Sequence, residues 1–564
     1  MLTDDRVSVD EAVDIVVIGG GVNGTGVARD LALRGLRVAL VERHDFAFGA
    51  SGNSSGMIHG GLRYLSSDPN VTESACLDSG YIQKIAPHLL FRIPFLMPVA
   101  SGSKGRVMME LLDAYFRAYD DYQPLKRGEP HTRIKAEDIS KLEPGIAGAF
   151  TGAITFDEWG IDGSRLCTIN ALDAREHGAR VHVHTVVESI AKIGGVDAKA
   201  PATTARYVVQ ARNVIDNTRV RISCAAVVNA TGAWGPLTAA LGNIATDRVR
   251  VRPGKGIHVV YDRRLSNYAI VSSTIDGRQI FLEPWQNVSI IGTTDDDYYG
   301  DLNDVTATSE EVRYLVQGIA HTFPSIRQAR AIGTYAGVRP TLYEYGPHED
   351  ALSREHMIID HASDGAPGVY SMIGGKLASY RVFSQEMSDM LAKDFAPKSV
   401  CTTHTRSLPG GDRQLDALAI ADANHLDPVL ARRLIYRHGS RAELILQRIA
   451  RHPSELEVVC PCEPVTAAEI RYVVCEEMAE TVDDVARRTR LGLGACGGMR
   501  CAARCAQIVA EERELSPQTA LKQARAFLTR QAKTRVVAMG VDQARQEATA
   551  IASMRSSLGT EDEA

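Results

Sequence analysis

At 564 residues the chain is three to four times the roughly 150 residues of a typical domain, so several domains are expected. Hydrophobic side chains make up 45% and charged ones 23%, a globular mixture that excludes a disordered or fibrous chain. The 63 basic and 69 acidic side chains leave a net charge of −6, which argues against a nucleic-acid partner held by bulk charge. No apolar run reaches the roughly 18 residues of a membrane span. The greasiest stretch, Leu89 to Ala100, is broken by Arg92 and by two prolines. The acidic N-terminus lacks the basic-then-apolar layout of a secretory signal. A soluble cytoplasmic protein is expected, with peripheral docking onto a membrane partner left open.

Asp14-Ile-Val-Val-Ile18 reads as a short buried strand, followed by glycines and a helical stretch to Arg34. Gly35 ends that helix, and Arg37-Val-Ala-Leu-Val41 reads as a second buried strand. Between them Gly19-Gly-Gly21-Val-Asn-Gly24 fits G-x-G-x-x-G. The glycines serve a tight turn, close backbone approach to a pyrophosphate, and helix–strand packing. Free amides at the helix N-terminus favour the phosphates. Glu42 ends the second strand, where a carboxylate accepts hydrogen bonds from ribose hydroxyls. The pattern marks a dinucleotide site and leaves FAD and NAD open. The segment from Ala50 to Tyr64 packs small residues around single polar ones, as a chain beside a large planar cofactor does. Residues from about 70 to 340 mix short strands with helices, as expected of a second domain built into the first.

Near residue 400 the character changes. Pro397 and Leu408-Pro-Gly-Gly-Asp412 read as a connector, and the chain beyond is mostly helical. Thr466-Ala-Ala-Glu469 predicts a capping box, and Ser516-Pro517 another helix start. The end, from Gly559 to Ala564, reads as a frayed acidic tail. Of ten cysteines, six (Cys460, Cys462, Cys475, Cys496, Cys501, Cys505) fall within 46 positions. In a reducing compartment such a cluster favours a metal over disulfides. The spacing Cys460-x-Cys462 and Cys496-x4-Cys501 suits an iron–sulfur cluster or zinc and leaves both open. Cys475 reads as a packed mid-helix thiol. Cys505, four residues after Cys501 on the same helical face, is a replacement ligand.

Ile58-His-Gly-Gly-Leu-Arg-Tyr-Leu65 resembles the signature of FAD-dependent glycerol-3-phosphate dehydrogenases. The resemblance continues, in the family's order, at Asn229–Trp234 (NATGAW), Ile290–Asp295 (IIGTTD), Ala336–Pro340 (AGVRP) and Gly374–Arg381 (GGKLASYR), so that it covers about residues 14 to 390. One departure is visible: Ala378-Ser379 replace two threonines common in the last motif, which touches one hydroxyl contact to flavin. The resemblance implies an α/β fold, a Rossmann-like FAD-binding domain with an inserted α+β substrate domain, similar to the amino-acid oxidases. It implies a cofactor site of Gly19, Gly21, Gly24, Glu42, Arg43, Ser51, Ser55, Gly56, His59, Gly60, Ala230, Thr231, Gly232, Gly375, Lys376 and Leu377.

Glycerol 3-phosphate carries a phosphate that needs converging cations, best arginines with their planar forks. The motif cations Arg63, Arg339, Arg354 and Lys376, with Tyr64, are assigned to the substrate by resemblance. Oxidation takes a hydride from C2 while the hydroxyl loses a proton, so a base is needed. His258, aligned with a histidine of the family's pocket, is the first candidate. His59 is the second, and Arg339 is a candidate to stabilise the developing alkoxide.

The segment 456–510 resembles the small helical [2Fe–2S] domain of bacterioferritin-associated ferredoxin. The resemblance implies a cluster on Cys460, Cys462, Cys496 and Cys501 rather than zinc. Body and tail together resemble the catalytic chain of the anaerobic branch of the family, which passes electrons toward quinone through partner subunits. The expected division is 1–400 oxidoreductase, 401–455 helical connector, 456–510 iron–sulfur domain and 511–564 helical tail, with homo- or hetero-oligomer open. The alternatives are oxidation of another 2-hydroxy acid or amine on the same fold, and a flavin/iron–sulfur carrier or redox sensor without its own substrate.

Overall fold

The computed structural model describes residues 8–62, 65, 69–194, 200–244, 247–346 and 355–558. The strand Ile15–Ile18, the helix Val22–Leu33 and the strand Val38–Val41 form as the sequence predicts. Both strands are buried along their whole length, which their unbroken β-branched and aliphatic runs permit. The helix is nearly all buried, between the helices Gly163–Glu176 and Tyr380–Phe395.

Among the described residues a six-stranded sheet runs in the order His356–Asp360, Val369–Gly374, Ala226–Asn229, Ile15–Ile18, Val38–Val41, Arg180–His182. All its pairings are parallel except the one with the edge strand His356–Asp360. Its core includes Ile15, Val17, Leu40, Phe46, Ile58 and Leu166, each at most 1% exposed, and each such side chain contributes about 1.5–3 kcal/mol by burial.

A nine-stranded mixed sheet carries the second domain, its strands drawn from 90–161 and 251–342. The greasy Leu90–Ala100 segment is one of them, paired antiparallel with Phe150–Ile161. The insertion expected over about 70–340 is therefore interrupted. Residues 163–182 and 226–229 return to the first domain, because Gly163–Glu176 packs on Val22–Leu33 while Arg180–His182 and Ala226–Asn229 extend the parallel sheet.

The C-terminal region is helical, as predicted. One core joins Leu426, Leu434 and Ile445 of the expected connector to Ile470, Val485, Ile508, Phe527 and Met554. Ser516 caps Pro517–Val536, accepting from the Thr519 N–H. The capping box at Thr466 is half formed. Thr466 accepts from the Glu469 N–H (3.2 Å), but the Glu469 carboxylate is held by Arg437 (2.5 and 2.7 Å) and His438 (2.9 Å). Tertiary ion pairing outcompetes the local cap. Cys475 is exposed, not packed; it lies near the end of its helix with Sγ 3.0 Å from Glu512. No helix of the described residues is long and apolar enough to cross a membrane. The tail 559–564 lies outside the described residues.

Candidate active site

A cavity of about 980 Å³ is lined from both large sheets. Its dinucleotide end is built on glycine. Gly19 has φ +112°, and a Cβ there would come 2.6 Å from the Ala230 carbonyl oxygen, so the turn passes Ala230 only without a side chain. Gly21 caps Val22–Leu33, whose first N–H donates to Ser51 Oγ (3.0 Å). Gly24 stands behind the lining, where a Cβ would strike the Gly19 carbonyl. Glu42 lines the cavity, its oxygens accepting N–H bonds from Gly20 (2.5 Å) and His44 (2.7 Å). Burial pushes its carboxyl up, and the two N–H bonds oppose the shift. Arg43, Ala230, Thr231, Gly232, Gly375, Lys376 and Leu377 line the same cavity.

Ser51, Ser55, Gly56 and His59 are also in the lining, but Gly60 is not. Its N–H donates to Glu158 Oε2 (3.2 Å), and a Cβ would strike Tyr119 and Cys76. Gly60 shapes the loop from behind. Glu158 is buried with Lys126 (2.6 Å) and accepts from Tyr119 (2.9 Å).

At the other end His258 and Arg339 come from the paired strands Val251–Tyr261 and Ala331–Leu342, with His258 opposite Tyr335 and Gly254 opposite Arg339. Both side chains use room left by glycine. An added Cβ would come 2.7 Å from His258 Nε2 at Gly292, and 2.6 Å from Arg339 Nη1 at Gly256. His258 Nε2 lies 2.9 Å from Ser55 Oγ. Burial, then the nearby Arg339 charge, lowers the imidazole to about 3, so it is neutral at physiological pH. Arg339 donates to Asp295 Oδ1 (2.9 Å), Thr294 O (3.2 Å) and Thr293 Oγ1 (3.1 Å). Arg63, Tyr64 and Arg354 lie outside the described residues.

Sequence reasoning missed Arg278, Asp295, Glu158 and Thr185–Val187, all in the lining. Arg278 donates to the Asp295 carbonyl (3.3 Å) beside Arg339. Asp295 closes the IIGTTD motif, a signal that was available; the others carry no local mark.

The thiols gather in pairs. Cys462 Sγ and Cys496 Sγ are 3.9 Å apart, and a Cβ on Gly494 would come 2.5 Å from that of Cys462. A hydrogen bond from Cys501 holds the Cys460 thiol below its ordinary range; burial opposes the shift, and the backbone N–H groups of Gly492, Glu463 and Cys462 support it. Cys501 starts the helix Ala502–Glu512, and Cys505 on it is fully buried. Among the described residues no three His, Cys, Asp or Glu side chains form a ready metal cluster.

Fold and cleft together define a flavin-dependent oxidoreductase: residues 14–381 match the family described as FAD dependent oxidoreductase, and residues 401–520 match the C-terminal domain of alpha-glycerophosphate oxidase. The chain is 31% identical to the A subunit of the anaerobic glycerol-3-phosphate dehydrogenase of Escherichia coli over 92% of each chain. It is 32% identical to the A1 subunit of the Haloferax volcanii enzyme over 91% of this chain and 84% of that one. The chain belongs to the family of FAD-dependent glycerol-3-phosphate dehydrogenases. Its fold is that of the glycerol-3-phosphate dehydrogenase from Bacillus halodurans complexed with FAD, at a TM-score of 0.72 and 24% identity over 94% of this chain and 96% of that one.

Proposed function

We propose that the chain oxidises sn-glycerol 3-phosphate to dihydroxyacetone phosphate, with the electrons passing toward quinone by way of partner subunits. The observation that carries the reading is the placement of His258 and Arg339 on neighbouring strands, facing the cavity whose far end is the glycine loop and Glu42. The cavity fits a flavin dinucleotide: its wall holds buried polar atoms, Asn23 Oδ1 and Trp234 Nε1, with no protein partner among the described residues. Gly19, Gly21, Glu42, Arg43, Ser51, Ser55, Gly56, His59, Ala230, Thr231, Gly232, Gly375, Lys376 and Leu377 would hold it, with Gly24 and Gly60 shaping the loops. Bound FAD supplies the acceptor for the two electrons that leave the substrate C2 carbon as hydride.

The protein's own part is to bind, orient and move a proton. Arg339 and Lys376 would clamp the phosphate, with Arg278 beside Arg339; Arg63, Tyr64 and Arg354 are assigned to it by the motif resemblance alone. His258 Nε2, held toward the cavity wall by Ser55, takes the C2 hydroxyl proton as the carbonyl forms. Its lone pair is free before substrate arrives, but burial and Arg339 leave the imidazole weakly basic. The dianionic substrate beside it raises that basicity toward the working pH, where a general base is effective. Arg339 stabilises the charge that develops on the C2 oxygen.

The thiol pairs Cys462–Cys496 and Cys460–Cys501 are soft donors of the kind suited to iron–sulfur chemistry, and the cluster reading requires the two pairs to close on one site. Cys460, Cys462, Cys496 and Cys501 would hold a [2Fe–2S] cluster, which would supply a one-electron outlet. The Escherichia coli and Haloferax volcanii relatives are each named as one lettered component of their enzyme, which supports the assignment of partner subunits. Anaerobic mixing with glycerol 3-phosphate should bleach the flavin, whereas a 2-hydroxy acid or an amino acid should not. A flavin that stays oxidised with glycerol 3-phosphate, or bleaches equally with all three, ends this reading.

A further inference from the structure

The turn that follows Glu42 is held from the other end of the chain. Asp45, 1% exposed, lies three residues beyond Glu42. The cation that meets it is Arg488, 0% exposed, on the C-terminal helix Val482–Thr489. The pair is bidentate: Nη1 to Oδ2 is 2.7 Å and Nη2 to Oδ1 is 2.8 Å. The guanidinium is itself aimed by bonds from Nε to the Glu477 carbonyl (2.9 Å) and from Nη1 to the Asp484 carbonyl (3.0 Å).

The same helix touches the turn twice more. Arg487 Nη1 lies 3.6 Å from Asp45 Oδ2, and its guanidinium sits 5.8 Å over the Phe48 ring. Phe48 in turn stacks on His44 at 3.9 Å. Asp484 pairs with His184 Nε2 (2.8 Å), and the His184 N–H donates to the His44 carbonyl (2.7 Å). Glu42, His44 and Phe48 all line the cavity.

We infer that the helix Val482–Thr489 is part of the flavin-retaining machinery. Arg488, assisted by Arg487 and Asp484, is a positioning residue that pins residues 42–48 in the shape that presents Glu42 to the adenosine half of the cofactor. The inference rests on the reading that FAD fills this cavity. The physical warrant is twofold. A fully buried ion pair adds little net stability over apolar residues, but it enforces one geometry, because either partner alone is left as an unpaired buried charge. Affinity falls in proportion to the fraction of molecules whose site is in the competent shape. Releasing the clamp lets the turn sample other shapes and weakens FAD binding without touching a cofactor contact.

Flavin-free full-length protein is titrated with FAD, following the change in flavin fluorescence, for wild type, Arg488→Lys and Arg487→Ala. Lysine keeps the charge but loses the two-pronged geometry, so FAD binding should weaken about tenfold. Arg487→Ala, at a side chain that is partly exposed, should weaken it about threefold while flavin-free unfolding temperature stays at the wild-type value. A merely structural role would lower that temperature and leave affinity alone. Affinities of both variants within about a factor of two of wild type overturn the inference; should Arg488→Lys not fold, Arg487→Ala decides alone. A wild-type chain that binds no FAD takes away the cofactor reading, and this inference with it.

Discussion

The imidazole of His258 lies parallel to the ring of Tyr335, with centroids 4.6 Å apart and planes inclined by 15°. Tyr335 sits opposite His258 in the strand register, and its hydroxyl donates to the Ser54 carbonyl (3.3 Å). The histidine is thus fixed on one side by a ring and at Nε2 by Ser55, with Gly292 leaving space beneath it. A side chain held this way is placed for one proton transfer.

Replacing that histidine tests the proton transfer. His258→Gln should slow anaerobic flavin reduction by about 10²- to 10⁴-fold, the range for losing a positioned base. Rapid-mixing absorbance measures it, and a rate within a few-fold of wild type would remove His258 as the base. The same group predicts a pH effect on stability. The unfolded imidazole titrates near 6.5 and the folded one near 3, so on acidification the unfolded chain takes up the proton first. Going from about pH 7 to about pH 4 should cost roughly 3 kcal/mol through this group alone, and His258→Gln should flatten that slope.

Arg339 is held by Asp295, Thr294 and Thr293 with its fork across Gly256. Arg339→Ala should lower kcat/KM for glycerol 3-phosphate by about 2–4 kcal/mol in transition-state terms, the scale for a charged donor at a reacting centre. Steady-state kinetics with flavin-saturated protein decide the matter. Unchanged kcat/KM would return Arg339 to a structural role.

Gly19→Ala introduces a Cβ 2.6 Å from the Ala230 carbonyl oxygen at φ +112°. The left-handed strain alone costs on the order of 1–3 kcal/mol, and the closed turn no longer admits a pyrophosphate. Purified variant should carry little flavin, read from the ratio of visible to ultraviolet absorbance. Full flavin content would show that the turn has freedom that its contacts deny.

For the thiol site, Cys462→Ser and Cys496→Ser should abolish the bound iron and acid-labile sulfide, about two of each per wild-type chain. Cys475→Ser, at the exposed helix end, should retain both. Cys505→Ser separates the two ligand sets, since loss of iron there would favour Cys505 over Cys501. Zinc without iron in anaerobically purified protein would replace the cluster with a structural metal.

Glu283, on the strand Gln279–Trp285, is 1% exposed, and its Oε1 has no hydrogen-bond partner among the described residues. Burial pushes its carboxyl well above the usual range. Its folded state therefore keeps a proton that the unfolded chain gives up, and the group costs stability as pH rises through the carboxylate range. Glu283→Gln should be more stable than wild type at neutral pH by at least about 1 kcal/mol, with the difference fading near pH 4. Thermal unfolding at the two pH values measures it; a less stable variant at neutral pH would mean that the carboxylate is charged and paired.

Much of the cleft could be read before folding because its determinants are neighbours in the chain. Gly19, Gly21 and Gly24 act through spacing within one turn, and the strands on either side show themselves by unbroken apolar runs. Elsewhere local pattern misled. Thr466 and Glu469 have the capping spacing, but Glu469 is drawn to Arg437 and His438, since a buried charge pair outweighs one backbone hydrogen bond. Cys475 looked internal by its place in an apolar helix, but it stands on that helix's last turn at the surface, beside Glu512.

Chain-local pattern was enough for the parallel nucleotide unit, the family motifs and the clustering of thiols. Folding alone settled that His258 rests over Gly292, that Arg339 shares Asp295 with Arg278, and that Arg488 meets Asp45 from 443 positions away in sequence. Nothing near Arg488 in the sequence distinguishes it from the other basic residues of the chain. Its partner and its burial are properties of how two distant segments pack, and short-range periodicity carries no information about them.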